Sequence, residues 1–216
     1  NPPYSISAWD SAAWQSDKWG RNMFGTPPQG RADYAFWQHI LASMNPKSGR
    51  SAILFPHGVL FRVEEAEMRE RMIKADVIDT VLGLGPNLFY NSPMEACVVI
   101  CRSKKPKNRK GEILFIDAIN EVTRERAQSF LTTEHIEHIA STYLNFEPEA
   151  GYSTIATIDE IAAQDFKLSI PLYVKKEASG KGPDLVTALA AWRTTSTELR
   201  KSAQELFALL DSQVAK

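Results

Sequence analysis

Six consecutive residues do most to fix what this chain can fold into: Ala96-Cys97-Val98-Val99-Ile100-Cys101. The run is uncharged, short and rich in β-branched side chains, and it reads as a buried strand. Positions four apart on a strand lie about 13 Å from each other. That separation is too large for a disulfide or for a shared metal ion. Cys97 and Cys101 are the two cysteines of the 216-residue chain. They therefore read as buried, reduced, structural thiols, which suits a cytoplasmic protein.

Other runs of the same kind surround it. Ser51-Ala52-Ile53-Leu54-Phe55-Pro56 has the form of a buried parallel strand. Val77 to Leu82 and Glu112 to Asp117 read as strands too, and Phe166 to Val174 reads as extended. Helices are expected from Asp33 to Met44, with Phe36, Trp37, Ile40, Leu41 and Met44 as the apolar stripe, and from Glu64 to Ala75. The Glu and Arg residues of the second helix read as a solvated face. Further helices are expected over 133–143 and, behind a capping signal, from Thr157 to Gln164. Residues 6–31 form a long loop carrying Trp9, Trp14, Trp19 and Phe24, with room for one short helix. Alternating strands and helices with both signs of charge indicate an α/β protein.

Several local patterns bear on chemistry. Pro56, His57 and Gly58 follow a strand, where ligands bind in open α/β sheets; a pocket role and a purely structural role for His57 both stand open. Gly83-Leu84-Gly85-Pro86 lacks the third glycine of a dinucleotide loop, which argues against a nucleotide-dependent oxidoreductase. His135 and His138 lack zinc-motif spacing, and no metal is expected. The densest basic stretch holds Arg102, Lys104, Lys105, Lys107, Arg109 and Lys110. It could neutralise DNA phosphates or form a solvated hairpin loop. The formal net charge is −1, so bulk electrostatics gives no sign of nucleic-acid binding. No apolar run is long enough to span a membrane.

The chain opens on Asn1-Pro2-Pro3-Tyr4. These residue types suit methyl transfer to an exocyclic amine. The Asn side-chain oxygen and a neighbouring backbone carbonyl each accept one amine hydrogen. Two acceptors draw the nitrogen toward a tetrahedral shape and free its lone pair for attack. Proline fixes φ and brings no competing N–H. Tyr4 would stack on an extruded base. The same four residues also make an ordinary turn, and by themselves they leave both readings open.

The order of several segments decides between them. Asn1-Pro2-Pro3-Tyr4 is followed by Ala32-Asp33-Tyr34-Ala35-Phe36 and by Ala52-Ile53-Leu54-Phe55-Pro56-His57-Gly58-Val59-Leu60-Phe61-Arg62. Then come Asn87-Leu88-Phe89-Tyr90 with Ala96-Cys97, Leu114-Phe115-Ile116-Asp117-Ala118, and the stretch from Ile161 to Val174. Together these resemble the C-terminal part of the modification (M) subunit of type I restriction–modification systems, an adenine-specific DNA methyltransferase. Val63-Glu64 stands where that family often has glycines.

The resemblance implies a fold: the C-terminal half of a Rossmann-like S-adenosylmethionine-dependent methyltransferase sheet. That sheet is mixed, with antiparallel strands at one edge, and is followed by a helical tail. Residues 1–174 would be the catalytic part, 175–184 a linker and 185–216 the tail. The tail carries Leu185, Leu189, Trp192, Leu199, Leu206 and Leu210 in a heptad-like stripe that needs a partner surface. The implied activity is transfer of a methyl group from S-adenosylmethionine to N6 of a flipped-out adenine. Asn1, Pro2, Pro3 and Tyr4 would be catalytic, with Asn1 and Pro2 also bordering the cofactor. Tyr4 and Phe89 would stack on the base. The implied partners are DNA, a specificity subunit that reads the target sequence and a restriction subunit. The family's main cofactor loop lies upstream of such a segment, so the 216 residues alone are expected to be inactive. The alternative is an assembly module docking the specificity subunit through its C-terminal helix.

Overall fold

The computed structural model describes residues 1–89, 93–126, 128–175 and 184–214, with side chains as far as residue 207. The chain forms two compact units, Asn1–Lys176 and Glu177–Lys216. In chain order the first contains α1 (Ser11–Gln15), α2 (Asp33–Ser43), β1 (Arg50–Pro56), α3 (Ala66–Lys74), β2 (Ile78–Leu84), β3 (Ala96–Arg102), β4 (Glu112–Ala118), β5 (Thr123–Glu125), β6 (Gln128–Phe130), α4 (Thr133–Asn145), β7 (Ser153–Thr157) and α5 (Ile158–Ala162). The second contains α6 (Leu185–Val214).

Five strands make one mixed sheet in the order β1-β3-β2-β4-β7. β2 and β4 run parallel. β3 is antiparallel to both β1 and β2, and β7 is antiparallel to β4. Antiparallel pairing thus takes in both edges. Ser51–Pro56 is not a parallel-paired strand as expected, because its described neighbour is β3, which runs the other way. A short apolar run looks the same in either setting.

Alternation along each strand divides the core between the two faces. Ile53 and Phe55 of β1, Cys97, Val99 and Cys101 of β3, and Ile113 and Phe115 of β4 pack with Tyr34 and Trp37 of α2 and Met68, Met72 and Ile73 of α3. Leu114, Ile116 and Ala118 of β4 lie on the other side with Leu82, Leu84, Phe146 and Tyr152. β2 is buried along its whole length. Both cysteines are free and fully buried on one face, as the strand spacing requires.

Two expectations need correction. α3 is not merely charged outside. Arg69 is buried, donating to the carbonyls of Phe166 and Arg62, and Glu65, just before the helix, is buried as well. Phe166–Val174 is not extended. Asp165 and Phe166 have positive φ, the Leu168 N–H donates to the Leu60 carbonyl, and Ile170–Leu172 forms a 3₁₀ turn. Pro171 at that turn and the bond from the Tyr173 hydroxyl to the Lys167 carbonyl fix the bend. Most of the proposed linker, residues 176–183, lies outside the described residues. No described helix is long and apolar enough to cross a membrane.

Candidate active site

The opening loop meets the sheet at the end of β2. A hollow of about 300 Å³ is lined by Asn1, Pro2, Pro3, Tyr4, Phe89, Met94, Glu95 and Ala96. Phe89 is carried there by the turn after β2. Asn87 takes the left-handed conformation (φ 59°), and its carbonyl accepts the Ser129 N–H of β6 at 2.9 Å. Phe89 itself packs on the Leu82–Leu114 side of the core. Burial raises the Tyr4 phenol above its ordinary pKa, so the ring stays neutral. The Asn1 carboxamide and the Pro2 carbonyl make no hydrogen bond with any described residue. The hollow thus has Asn1 and Pro2 on its border beside two aromatic residues, Tyr4 and Phe89. Tyr90 lies outside the described residues.

A second hollow of about 400 Å³ adjoins the first. His57, Gly83, Glu95, Asp117, Ile170 and Lys175 are among its lining residues. Glu95 borders both hollows. The carboxyl ends of the parallel strands β2 and β4 supply Gly83 and Asp117, the position where such sheets take ligands. His57 Nε2 donates to the Ala96 carbonyl at 3.0 Å, which fixes the ring and removes that nitrogen from any basic role. Pro56 and Gly58 do not line this hollow. Pro56 pairs with Ala96 in the sheet. Gly58 makes room for Arg62, because a Cβ there would come within 2.4 Å of the Arg62 Nε. Gly83 and Gly85 are packing glycines. Added Cβ atoms would strike Ile170 at 2.7 Å and the Ile119 carbonyl at 2.5 Å.

The basic stretch divides. Arg102 and Arg109 both reach Asp79, at 2.9 and 3.2 Å, and Asp79 is fully buried. Arg109 also donates to the carbonyls of Tyr143 and Leu144 and lies 4.4 Å from the Phe146 ring centroid. Lys105 is buried and bonded to Asp76 and the Glu112 carbonyl, each at 2.6 Å. The stretch is not a hairpin loop, because β2 lies between β3 and β4 in the sheet; these three cations hold the connection to the sheet and α4, and they are not available to phosphates. Lys104, Lys107 and Lys110 are exposed.

The histidines of α4 are structural. His135 accepts the Thr132 N–H within a capping box. His138 bridges Glu121 and Glu149 at 2.8 and 3.0 Å and stacks on Tyr152. Those two carboxylates raise its pKa. Glu95, on the border of both hollows, and Asp33 and Arg62, which bond Ser5 beside the opening loop, are residues that sequence reasoning missed. Asp33 and Arg62 stand inside recognisable segments, but only the folded chain brings them to the opening loop.

The profile of the family described as N-6 DNA Methylase matches residues 1–181. The methylase subunit of the type I restriction enzyme MjaVIII of Methanocaldococcus jannaschii is 32% identical over 191 residues, 86% of this chain and 32% of the relative. The HindI methylase subunit of Haemophilus influenzae is 30% identical over 226 residues, 100% of this chain and 47% of the relative. A type I restriction–modification methyltransferase subunit from Streptococcus thermophilus superposes with a TM-score of 0.75 at 36% identity, over 82% of this chain and 37% of that one. The EcoKI M protein shares the fold, with a TM-score of 0.58 at 18% identity over 95% of this chain and 49% of that one. The chain spans from 32% to 49% of the length of these relatives.

Proposed function

The chain belongs to the N-6 DNA methylase family, and from that premise we propose that it is the base-handling part of a type I restriction–modification methylase subunit. One observation carries the proposal. Asn1–Tyr4 and Phe89, far apart in the chain, border a single hollow. Its volume is at the small end of ligand sites, which suits one extruded base. Tyr4 and Phe89 receive the faces or edge of the adenine ring, where aromatic contacts add to burial. The Asn1 side-chain oxygen and the Pro2 carbonyl each accept one hydrogen of the exocyclic amine. Holding both hydrogens withdraws the nitrogen lone pair from the ring. Pro2 and Pro3 keep the loop from rotating as this happens.

S-adenosylmethionine, which fits this reading as the methyl donor, supplies an electrophilic methyl on a sulfonium. The Asn1 side-chain oxygen and the Pro2 carbonyl are the groups of this chain that would border it and the amine together. The remaining proposals follow from the same reading. Lys104, Lys107 and Lys110 are the exposed cations of the β3–β4 connection suited to DNA phosphates. The subunit works in the cytoplasm on DNA, with a specificity subunit and a restriction subunit as partners. In the complete, assembled enzyme, Asn1→Ala should abolish methyl transfer while DNA binding survives. Retained turnover would remove the role assigned to Asn1.

A second reading concerns α6. Leu185 and Leu199 are 81% and 70% exposed, and Trp192 and Leu206 are exposed on the same heptad-like spacing. A helix with a bare apolar seam needs a partner helix, and the specificity subunit is the partner we assign. Deletion of 184–216 should prevent assembly with that subunit in size-exclusion chromatography. Undiminished assembly would contradict the assignment.

A further inference from the structure

We infer that Asp33, the first residue of α2, is a positioning residue that holds the Asn1–Tyr4 loop in its working shape. The inference rests on the function proposed for that loop. The Asp33 side chain is essentially buried (1% exposed). Its Oδ1 accepts the Ser5 N–H at 2.7 Å, and its Oδ2 accepts the Ser5 hydroxyl at 3.3 Å. Ser5 immediately follows Tyr4 and adopts φ 49°, a left-handed conformation that a residue with a Cβ rarely holds unaided. One residue on, the Ile6 carbonyl accepts the Ala32 N–H at 3.1 Å. The base of the loop is therefore clamped at two successive residues to the start of one helix.

The clamp has a second tier. Arg62 Nη1 pairs with Asp33 Oδ2 at 2.7 Å, and Arg62 Nη2 donates to the Ser5 hydroxyl at 3.3 Å. The guanidinium crosses Gly58, where no side chain could be accommodated without displacing it. Arg62 pairs with the buried carboxylate and aims it, and the carboxylate keeps Ser5 in its strained conformation. A charged acceptor makes a stronger bond to a backbone N–H than a neutral one. An acid in the first turn of a helix commonly serves its own helix, but both oxygens of Asp33 face the loop and Arg62. α2 has no side-chain cap.

Misplacing a reacting group by about 1 Å can cost on the order of 100-fold in rate. The test uses the complete enzyme assembled with its partner subunits. Asp33→Asn should lower kcat for methyl transfer by at least tenfold, with KM for the methyl donor and Kd for DNA changed less than twofold. Ser5→Pro removes the donated N–H at an exposed position and bars φ 49°, so it breaks the clamp from the loop side with Asp33 and Arg62 intact and decides the matter if Asp33→Asn does not fold. It should show the same split. Ser5→Gly keeps the N–H and tolerates the positive φ, and it should stay within about threefold of the unsubstituted rate. Amide exchange read on a peptide covering residues 4–8 should be faster in Asp33→Asn and Ser5→Pro. Unchanged kcat in Ser5→Pro, or unchanged exchange in both variants, overturns the inference. If the unsubstituted complex transfers no methyl group, the functional reading fails, and the exchange measurement alone then decides whether Asp33 anchors the loop.

Discussion

Tyr4 and Phe89 border the same hollow, although one belongs to the opening loop and the other to the turn after β2. Neither ring alone makes a base-sized site. Phe89 is held from behind by the core and by the Asn87–Ser129 bond, and Tyr4 is held through Ser5 and Asp33. In the assembled enzyme, Phe89→Ala should weaken retention of the extruded base and lower kcat/KM by roughly 10-fold or more, in line with about 1–3 kcal/mol per base–aromatic stack. Phe89→Tyr should retain most of the activity. Steady-state methylation kinetics check both, and equal rates for the alanine variant would exclude Phe89 from the site.

The divided basic stretch predicts two opposite phenotypes. Arg109→Ala removes a buried partner of Asp79, and loss of one member of such a pair costs about 3 kcal/mol. The thermal midpoint should fall by roughly 6–12 °C. Replacing Lys104, Lys107 and Lys110 together with alanine should leave the midpoint nearly unchanged. It should lower the slope of log affinity for DNA against log salt by roughly 3, near one per phosphate contact. Calorimetry and binding titrations at several salt concentrations separate the two effects.

Glu65 gives a pH signature. Burial pushes its carboxyl from 4.5 up to about 7, with Arg62 opposing the shift. The folded state therefore binds a proton over a pH range in which the unfolded chain has released it. This contribution is fully present below about pH 4.5 and is lost as pH rises through about 7. Glu65→Gln should flatten the stability profile between those values and be more stable than the unsubstituted protein at pH 8. Denaturant titrations at pH 5 and pH 8 read this directly.

Cys97 and Cys101 should be inert in the folded protein. Burial pushes both thiols up to about 12, and Cys101 also accepts the Trp37 indole N–H at 3.4 Å. At pH 8, a thiol reagent should label neither within the time that labels both in denaturant. Reactivity follows thiolate fraction and access, so rapid labelling of the native protein would contradict the packing described for β3.

Much of the fold is legible in residue order. Short apolar runs located β1 to β4, and the Thr157 capping signal located α5. Pairing direction was not legible, since Ser51–Pro56 would look the same beside a parallel or an antiparallel neighbour. β7 escaped notice because its Ser153-Thr154-Ile155-Ala156-Thr157 sequence is polar and short. The four-residue loop was legible because its chemistry is local. The residues that hold it were not. Asp33 and Arg62 are ordinary charges at ordinary spacings until the sheet brings them within 2.7 Å of each other. The basic stretch misled for the same reason. Charge is visible in a sequence, but whether it faces solvent or Asp79 depends on contacts across the chain.

Photocross-linking can locate the extruded base on the protein. DNA carrying 5-iodouracil at the target position is bound by the assembled enzyme and irradiated, and the attached peptide is identified by mass spectrometry. Attachment is expected at Tyr4 or Phe89. Attachment within the neighbouring hollow, at His57 or beside Asp117, would contradict it and move the base to the other side of Glu95.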